Sequence, residues 1–143
     1  MTSLSFPDVN VLLALVAHEH VHSAMARRWW NSHEGGIAVC RISQLGLLRL
    51  LTTAAAMGNK PLSVDRSWQV YDGLLVDDRV VFVYERPEVD ALFRFRAAGP
   101  AASPKIFADA WMLAIAEAAG GRLITFDRAL AERGAQCLLP KRE

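Results

Sequence analysis

Short, apolar, β-branched runs alternate with helix-forming segments from one end of this 143-residue chain to the other. Ser3–Phe6, Ile37–Cys40, Val80–Tyr84 and Leu123–Phe126 read as strands, with Gln136–Leu139 as a last edge strand. Between them, apolar residues recur at helical spacing, as in Val21, Met25 and Trp29, or Trp68, Tyr71 and Leu75. The spacing predicts helices over Val9–Ala17, Val21–His33, from Ser43, over Ser63–Leu75, Glu88–Ala98 and Ala129–Arg133. A further helix reaches Ala119, with Ser103 as its cap and Pro104 as its first residue. Strands separated by helices pair in parallel, because the crossover needs the intervening segment. A parallel sheet is in turn covered on both faces. The expected architecture is one α/β domain over residues 1–143, a three-layer α/β/α sandwich around a mainly parallel sheet.

Composition narrows the class. Sixteen basic residues stand against 15 acidic ones, a net charge of +1, which argues against a uniformly basic nucleic-acid binder. Hydrophobic residues make up 52%, far from the composition of a disordered chain. The basic residues are thirteen Arg and three Lys, a bias that suits phosphate contacts. The early apolar stretch Val11–Ala17 is too short for a membrane span and has no basic segment before it. Cys40 and Cys137 lie far apart in apolar segments and read as reduced thiols. Together these features predict a cytoplasmic protein without a membrane partner.

Most acids sit where solvated acids belong, among them Asp77, Asp78, Glu85, Glu88 and Asp90 around the middle strand. Three do not. Asp109 lies in Ile106–Ala116, where the other ten residues are apolar, so this helix reads as buried all round. Asp8 follows the first strand directly, and Asp127 ends the strand Leu123–Phe126. Carboxyl ends of parallel strands share one edge, where open α/β sheets bind ligands. The helix carrying Asp109 runs antiparallel to the strands, so its first turns lie over that edge. Gln44, early in the helix after the second strand, is expected there too. Three carboxylates about 5 Å apart repel by about 3 kcal/mol per pair at an effective dielectric of about 20. A hard divalent cation such as Mg2+ or Mn2+ would resolve that repulsion. The alternative is three separate tasks: Asp8 and Asp127 as helix caps and Asp109 paired with an arginine.

His18-Glu19-His20-Val21-His22 matches H-E-x-x-H, the zinc-peptidase pattern of two histidines one helical turn apart. That reading requires a continuous helix through both histidines. The other readings are a polar junction between two helices, with His20 or His22 near the start of the second, and a substrate-contacting role.

Several segments in order resemble the PIN-domain ribonucleases, and most of all the VapC-type toxins of bacterial toxin–antitoxin pairs. These are Phe6-Pro7-Asp8-Val9-Asn10-Val11-Leu12-Leu13, Cys40-Arg41-Ile42-Ser43-Gln44-Leu45-Gly46-Leu47-Leu48-Arg49, Ser103-Pro104-Lys105-Ile106-Phe107-Ala108-Asp109-Ala110 and Arg122-Leu123-Ile124-Thr125-Phe126-Asp127-Arg128. The resemblance implies an endoribonuclease that uses Mg2+ or Mn2+ and is neutralised by a cognate antitoxin. It implies catalytic, metal-binding roles for Asp8, Asp109 and Asp127, with Asn10, Gln44 and Thr125 in support. Gln44 stands where the family usually has a Glu, which lowers the site's charge and keeps open a non-catalytic module that binds RNA or an antitoxin peptide. Arg41, Arg49, Lys105 and Arg128 flank the expected edge as possible contacts for RNA phosphates. A homodimer is implied as well, with Trp29-Trp30, Leu50 and the Trp68–Tyr71 pair as candidate contact surfaces.

Overall fold

The structure, a computed structural model, describes residues 4–142. Ser3, where the first strand was expected to begin, lies outside the described residues. Five short strands form one sheet: β1 (Ser5–Pro7), β2 (Ile37–Val39), β3 (Val80–Phe82), β4 (Arg122–Thr125) and β5 (Gln136–Cys137). The order is β3-β2-β1-β4-β5, and every pairing is parallel. Seven α-helices surround it: α1 (Val9–Val16), α2 (Ser23–Ser32), α3 (Arg41–Leu51), α4 (Val64–Leu75), α5 (Glu88–Arg96), α6 (Ile106–Ala118) and α7 (Arg128–Glu132). The expected α/β sandwich is therefore found, with an all-parallel sheet among the described residues.

Period-two alternation divides the core. Ala38 and Phe6 pack with Val89, Leu113 and Ile115 on the α5–α6 face. Val39, the next residue of β2, packs with Leu12, Leu47 and Leu74 on the α1–α3–α4 face. The chain winds from β1 outward to β2 and β3, then returns to β4 on the other side of β1. The crevice between β1 and β4 is therefore the topological switch point, the position where such sheets bind ligands.

Helix starts differ from the sequence expectation by two residues in three places, each for a local reason, and by one residue at α4 and α7. Helix α3 begins at Arg41, not Ser43, because Ser43 is the third residue of a capping box: its Oγ accepts the Cys40 N–H at 3.0 Å. Helix α6 begins at Ile106, not Pro104. Ser103–Ile106 is a turn closed by the Ile106 N–H on the Ser103 carbonyl at 3.3 Å, with Pro104 at its favoured second position. Helix α2 begins at Ser23, after residues 17–22 have served as the connection from α1.

Two packing features brace the fold, the first beside the strand ends that carry Asp8 and the second at the opposite edge of the sheet. A Cβ built on Gly46 would stand 2.7 Å from Val9 Cγ2, so α3 lies directly against the start of α1. Asp77, expected among the solvated acids, is instead a latch. It accepts Trp30 Nε1 at 3.1 Å and two guanidinium N–H groups of Arg79 at 2.9 and 2.7 Å. Arg79 in turn donates to the Trp30 and His33 carbonyls, which ties the end of α2 to the start of β3.

Candidate active site

Asp8 leaves β1 and becomes the N-cap of α1. Its backbone N–H bonds the Ile124 carbonyl at 2.8 Å, which pins the end of β1 to β4. Its Oδ1 accepts the Val9 N–H at 2.8 Å, one of the donors that a helix start leaves without a partner. Its Oδ2 accepts the Thr125 hydroxyl at 3.2 Å. Thr125 is fully buried at the end of β4, and the same hydroxyl oxygen accepts the Asp127 N–H at 3.0 Å. Asp127 then caps α7, its Oδ1 taking the Ala129 N–H at 2.9 Å. One threonine thus connects two acidic helix caps across the switch point.

Asp109 comes from the opposite direction, in the first turn of α6. It is half-buried, and the expectation of a helix buried all round holds for Ala110 and Met112–Ala116 only; Trp111 is partly buried and Phe107 is 55% exposed. In that first turn Phe107 and Ala108 are exposed, while Ile106 is partly buried.

Asp8, Asp109 and Asp127 line one open cleft of about 450 Å3, together with Asn10 and Thr125. Burial pushes the Asp8 carboxyl up, and Asp109 and Asp127 add to the rise, while its bonds from Val9 and Thr125 oppose it. Burial and Asp127 likewise raise Asp109, with Arg133 and Lys105 opposing. Asp8 therefore feels the charge of Asp109 and Asp127, and Asp109 that of Asp127. The chemistry of the set is that of hard, anionic oxygen donors short of positive charge, which suits Mg2+ or Mn2+. Among the described residues, no three His, Cys, Asp or Glu side chains already converge as a ready-made ion site. Small rotations or intervening waters would therefore be needed to bring all three to one cation.

Asn10 is exposed at the cleft, on the first turn of α1. Gln44 is not on its wall. The side chain is buried, and its Oε1 accepts a guanidinium N–H of Arg41. Arg41 lies 4.9 Å over the Phe82 ring. Arg49 sits in the last turn of α3, about 12 Å along the helix from Arg41 at 1.5 Å per residue. Lys105 stands at the N-terminus of α6 beside Asp109. Arg128 donates to the Pro140 carbonyl at 3.3 and 3.1 Å.

The zinc-peptidase reading fails on backbone geometry. Helix α1 ends at Val16, and residues 18–22 are turns, so no helix carries His18 and His22 on one face. Sequence reasoning missed Arg133, a cation close enough to lower the Asp109 carboxyl from 24 residues away. It allows a substrate-contacting role for the histidine segment, but missed that His20 and His22 meet Phe126 at this cleft. Their proximity depends on how the α1–α2 connection folds back over β4, which no sequence spacing encodes.

Comparison with known proteins places this arrangement. The PIN domain profile matches residues 5–135. Ribonuclease VapC41 of Mycobacterium tuberculosis is 36% identical over 133 residues, covering 89% of this chain and 91% of that protein. Ribonuclease VapC44 of the same organism is 31% identical over 140 residues, covering 87% and 86%. Among solved structures, M. tuberculosis VapC20, described as a sarcin-ricin loop cleaving toxin, superposes with a TM-score of 0.66 at 15% identity. That match covers 95% of this chain and 99% of VapC20.

Proposed function

The chain belongs to the PIN-domain family and is a ribonuclease of the VapC type, and from that footing we propose that Asp8, Asp109 and Asp127 hold a Mg2+ or Mn2+ ion for endonucleolytic cleavage of RNA. The observation that carries this reading is that three carboxylates, from three separate elements, line one cleft at the switch point. When bound, such a cation lowers the pKa of a water and offsets negative charge on the scissile phosphate. The chain's own residues do the rest. The Val9 N–H and the Thr125 hydroxyl fix Asp8 from two sides. Thr125 also holds the backbone from which Asp127 projects. Asn10, exposed at the same cleft, is placed to orient a carboxylate or a water.

Gln44 is turned to Arg41 and contributes no fourth carboxylate, which favours one ion over two. Lys105 supports RNA binding by its place beside Asp109. Arg41, Arg49 and Arg128 are weaker supports, since Arg41 and Arg128 already bond within the chain. The reading also carries a cognate antitoxin as the neutralising partner, a homodimer, and the cytoplasm as the place of action. Of the aromatic residues considered for dimer contact, Trp68 is 44% exposed, beside the buried Tyr71. No helix among the described residues is long and apolar enough to cross a membrane.

The test is calorimetric titration of the protein with Mn2+, paired with RNA cleavage. Wild type should bind one equivalent and cleave, and EDTA should stop cleavage. Asp109→Asn should stay folded, bind the ion more weakly and lose cleavage. Cleavage at the wild-type rate by Asp109→Asn removes the site. Undiminished RNA binding without any cleavage would instead identify the non-catalytic module.

A further inference from the structure

The cleft has two chemically different sides. Beside the carboxylates stand three rings: His20 and His22 from the α1–α2 connection, and Phe126 from the turn after β4. The His22 ring centroid lies 4.7 Å from Phe126, and His20 lies 6.5 Å from it with the ring planes 20° apart. His20 and His22 are 5.8 Å apart. We propose that His20, His22 and Phe126 form a stacking platform for an unpaired RNA base next to the scissile phosphate. The proposal rests on the ribonuclease reading above and adds which part of the substrate this wall receives.

The rings are held as a surface and not as loose side chains. Phe126 packs against the buried cluster of Val11, Ala14 and Ala26. His20 Nδ1 accepts the His22 N–H at 3.0 Å, which fixes the ring and leaves that nitrogen without a proton. Burial and the neighbouring His22 lower the His20 pKa, which favours its neutral, aromatic form. Only partial burial leaves His20, His22 and Phe126 open to the cleft.

The wall presents ring faces, and the carboxylates of the same cleft repel a phosphate seated among them. What such a wall binds well is the flat face of a nucleobase. Base faces are free only where the strand is unpaired, which is also how proteins commonly read RNA. The carboxylates and rings share one cleft, so a base seated on the rings lies beside the phosphate at the acids.

His22→Ala is the cleanest variant. The His22 side chain makes no capping bond to α2, and the backbone N–H that meets His20 is retained. Kinetics would use an RNA strand that the wild-type protein cleaves with Mn2+. His22→Ala should raise KM about tenfold with kcat within about twofold. His22→Phe, which keeps the ring and discards its nitrogens, should restore KM. An abasic nucleotide at one position beside the cut should raise KM for wild type and have little further effect on His22→Ala. This last comparison separates base stacking from a merely structural role. An unchanged KM in His22→Ala, no rescue by His22→Phe, or equal abasic penalties in both proteins would overturn the platform while the nuclease stands. If wild type cleaves no RNA, the metal-site reading falls and the platform falls with it. Should His22→Ala fail to fold, the abasic scan of wild type and of His22→Phe decides alone: a penalty confined to one flanking position supports the platform, and a flat scan overturns it.

Discussion

Thr125 donates its hydroxyl to Asp8 across the β4–β1 boundary, 117 residues back along the chain. The same oxygen receives the Asp127 N–H, so a single buried hydroxyl sets two of the three acids. Thr125→Val keeps the shape and removes both bonds. The Asp127 N–H loses its partner, at a cost of about 1–2 kcal/mol. Asp8 loses a donor that lowers its pKa, so its carboxyl rises further. Mn2+ affinity should fall about tenfold, the usual scale for groups that orient a metal ligand. Thr125→Ser should keep most of it. Calorimetry and urea melts check the two effects separately.

Asp8 and Asp109 both have carboxyls raised by burial and by neighbouring acids. A group whose pKa is raised on folding favours the fold below its unfolded pKa. That contribution is lost as pH climbs through the raised value, so at neutral pH both acids cost stability. Asp109→Asn should therefore melt higher than wild type at pH 7 and show little gain at pH 3. Solvent screening at this half-buried site limits the gain to about 1 kcal/mol, or about 2–4 °C at this chain length. Mn2+ should raise the wild-type melting temperature and leave that of Asp109→Asn nearly unchanged.

The Asp77 latch has the opposite sign. The Arg79 side chain and backbone hold the Asp77 carboxyl far below the usual carboxylate range. Its contribution is present above an ordinary carboxylate pKa of about 4 and is lost as pH falls toward the depressed value. Asp77→Ala should cost about 2 kcal/mol at pH 7, given charge-assisted bonds and a Trp30 N–H left without its acceptor. Urea titrations at pH 7 and pH 2 should show the gap closing in acid.

Gly46→Ala would place a methyl 2.7 Å from a terminal methyl of Val9, the residue next to Asp8. Alanine is the better helix former by about 1 kcal/mol, but the overlap opposes it with about 1–3 kcal/mol. The expected net result is a modest loss of stability and weaker Mn2+ binding, since α1 starts at Asp8. Adding Val9→Ala should recover part of both, and a double-mutant cycle measures how much.

The sheet and the positions of Asp8 and Asp127 were legible because strand ends in a parallel sheet share an edge, whatever the loops do. Asp109 was legible as a charge in an apolar run, although its turn proved more open than that run suggested. Gln44 was placed on the right helix and toward the right edge, yet its side chain answers to Arg41, a choice of rotamer that spacing does not determine. Asp77 looked like any loop acid because its partners, Trp30 and Arg79, meet it only through tertiary packing. The histidines carried a literal motif for a different chemistry. Backbone turns at residues 18–22 decided against it and brought two of the rings to Phe126 instead.

Asp8 and Asp127 each spend one oxygen on a helix end. An asparagine at either place keeps an oxygen for that bond and discards the negative charge. Silencing should therefore separate from unfolding: a cell carrying either aspartate-to-asparagine change should keep the protein at normal abundance while its RNA stays uncut, which an immunoblot beside a cleavage assay would read.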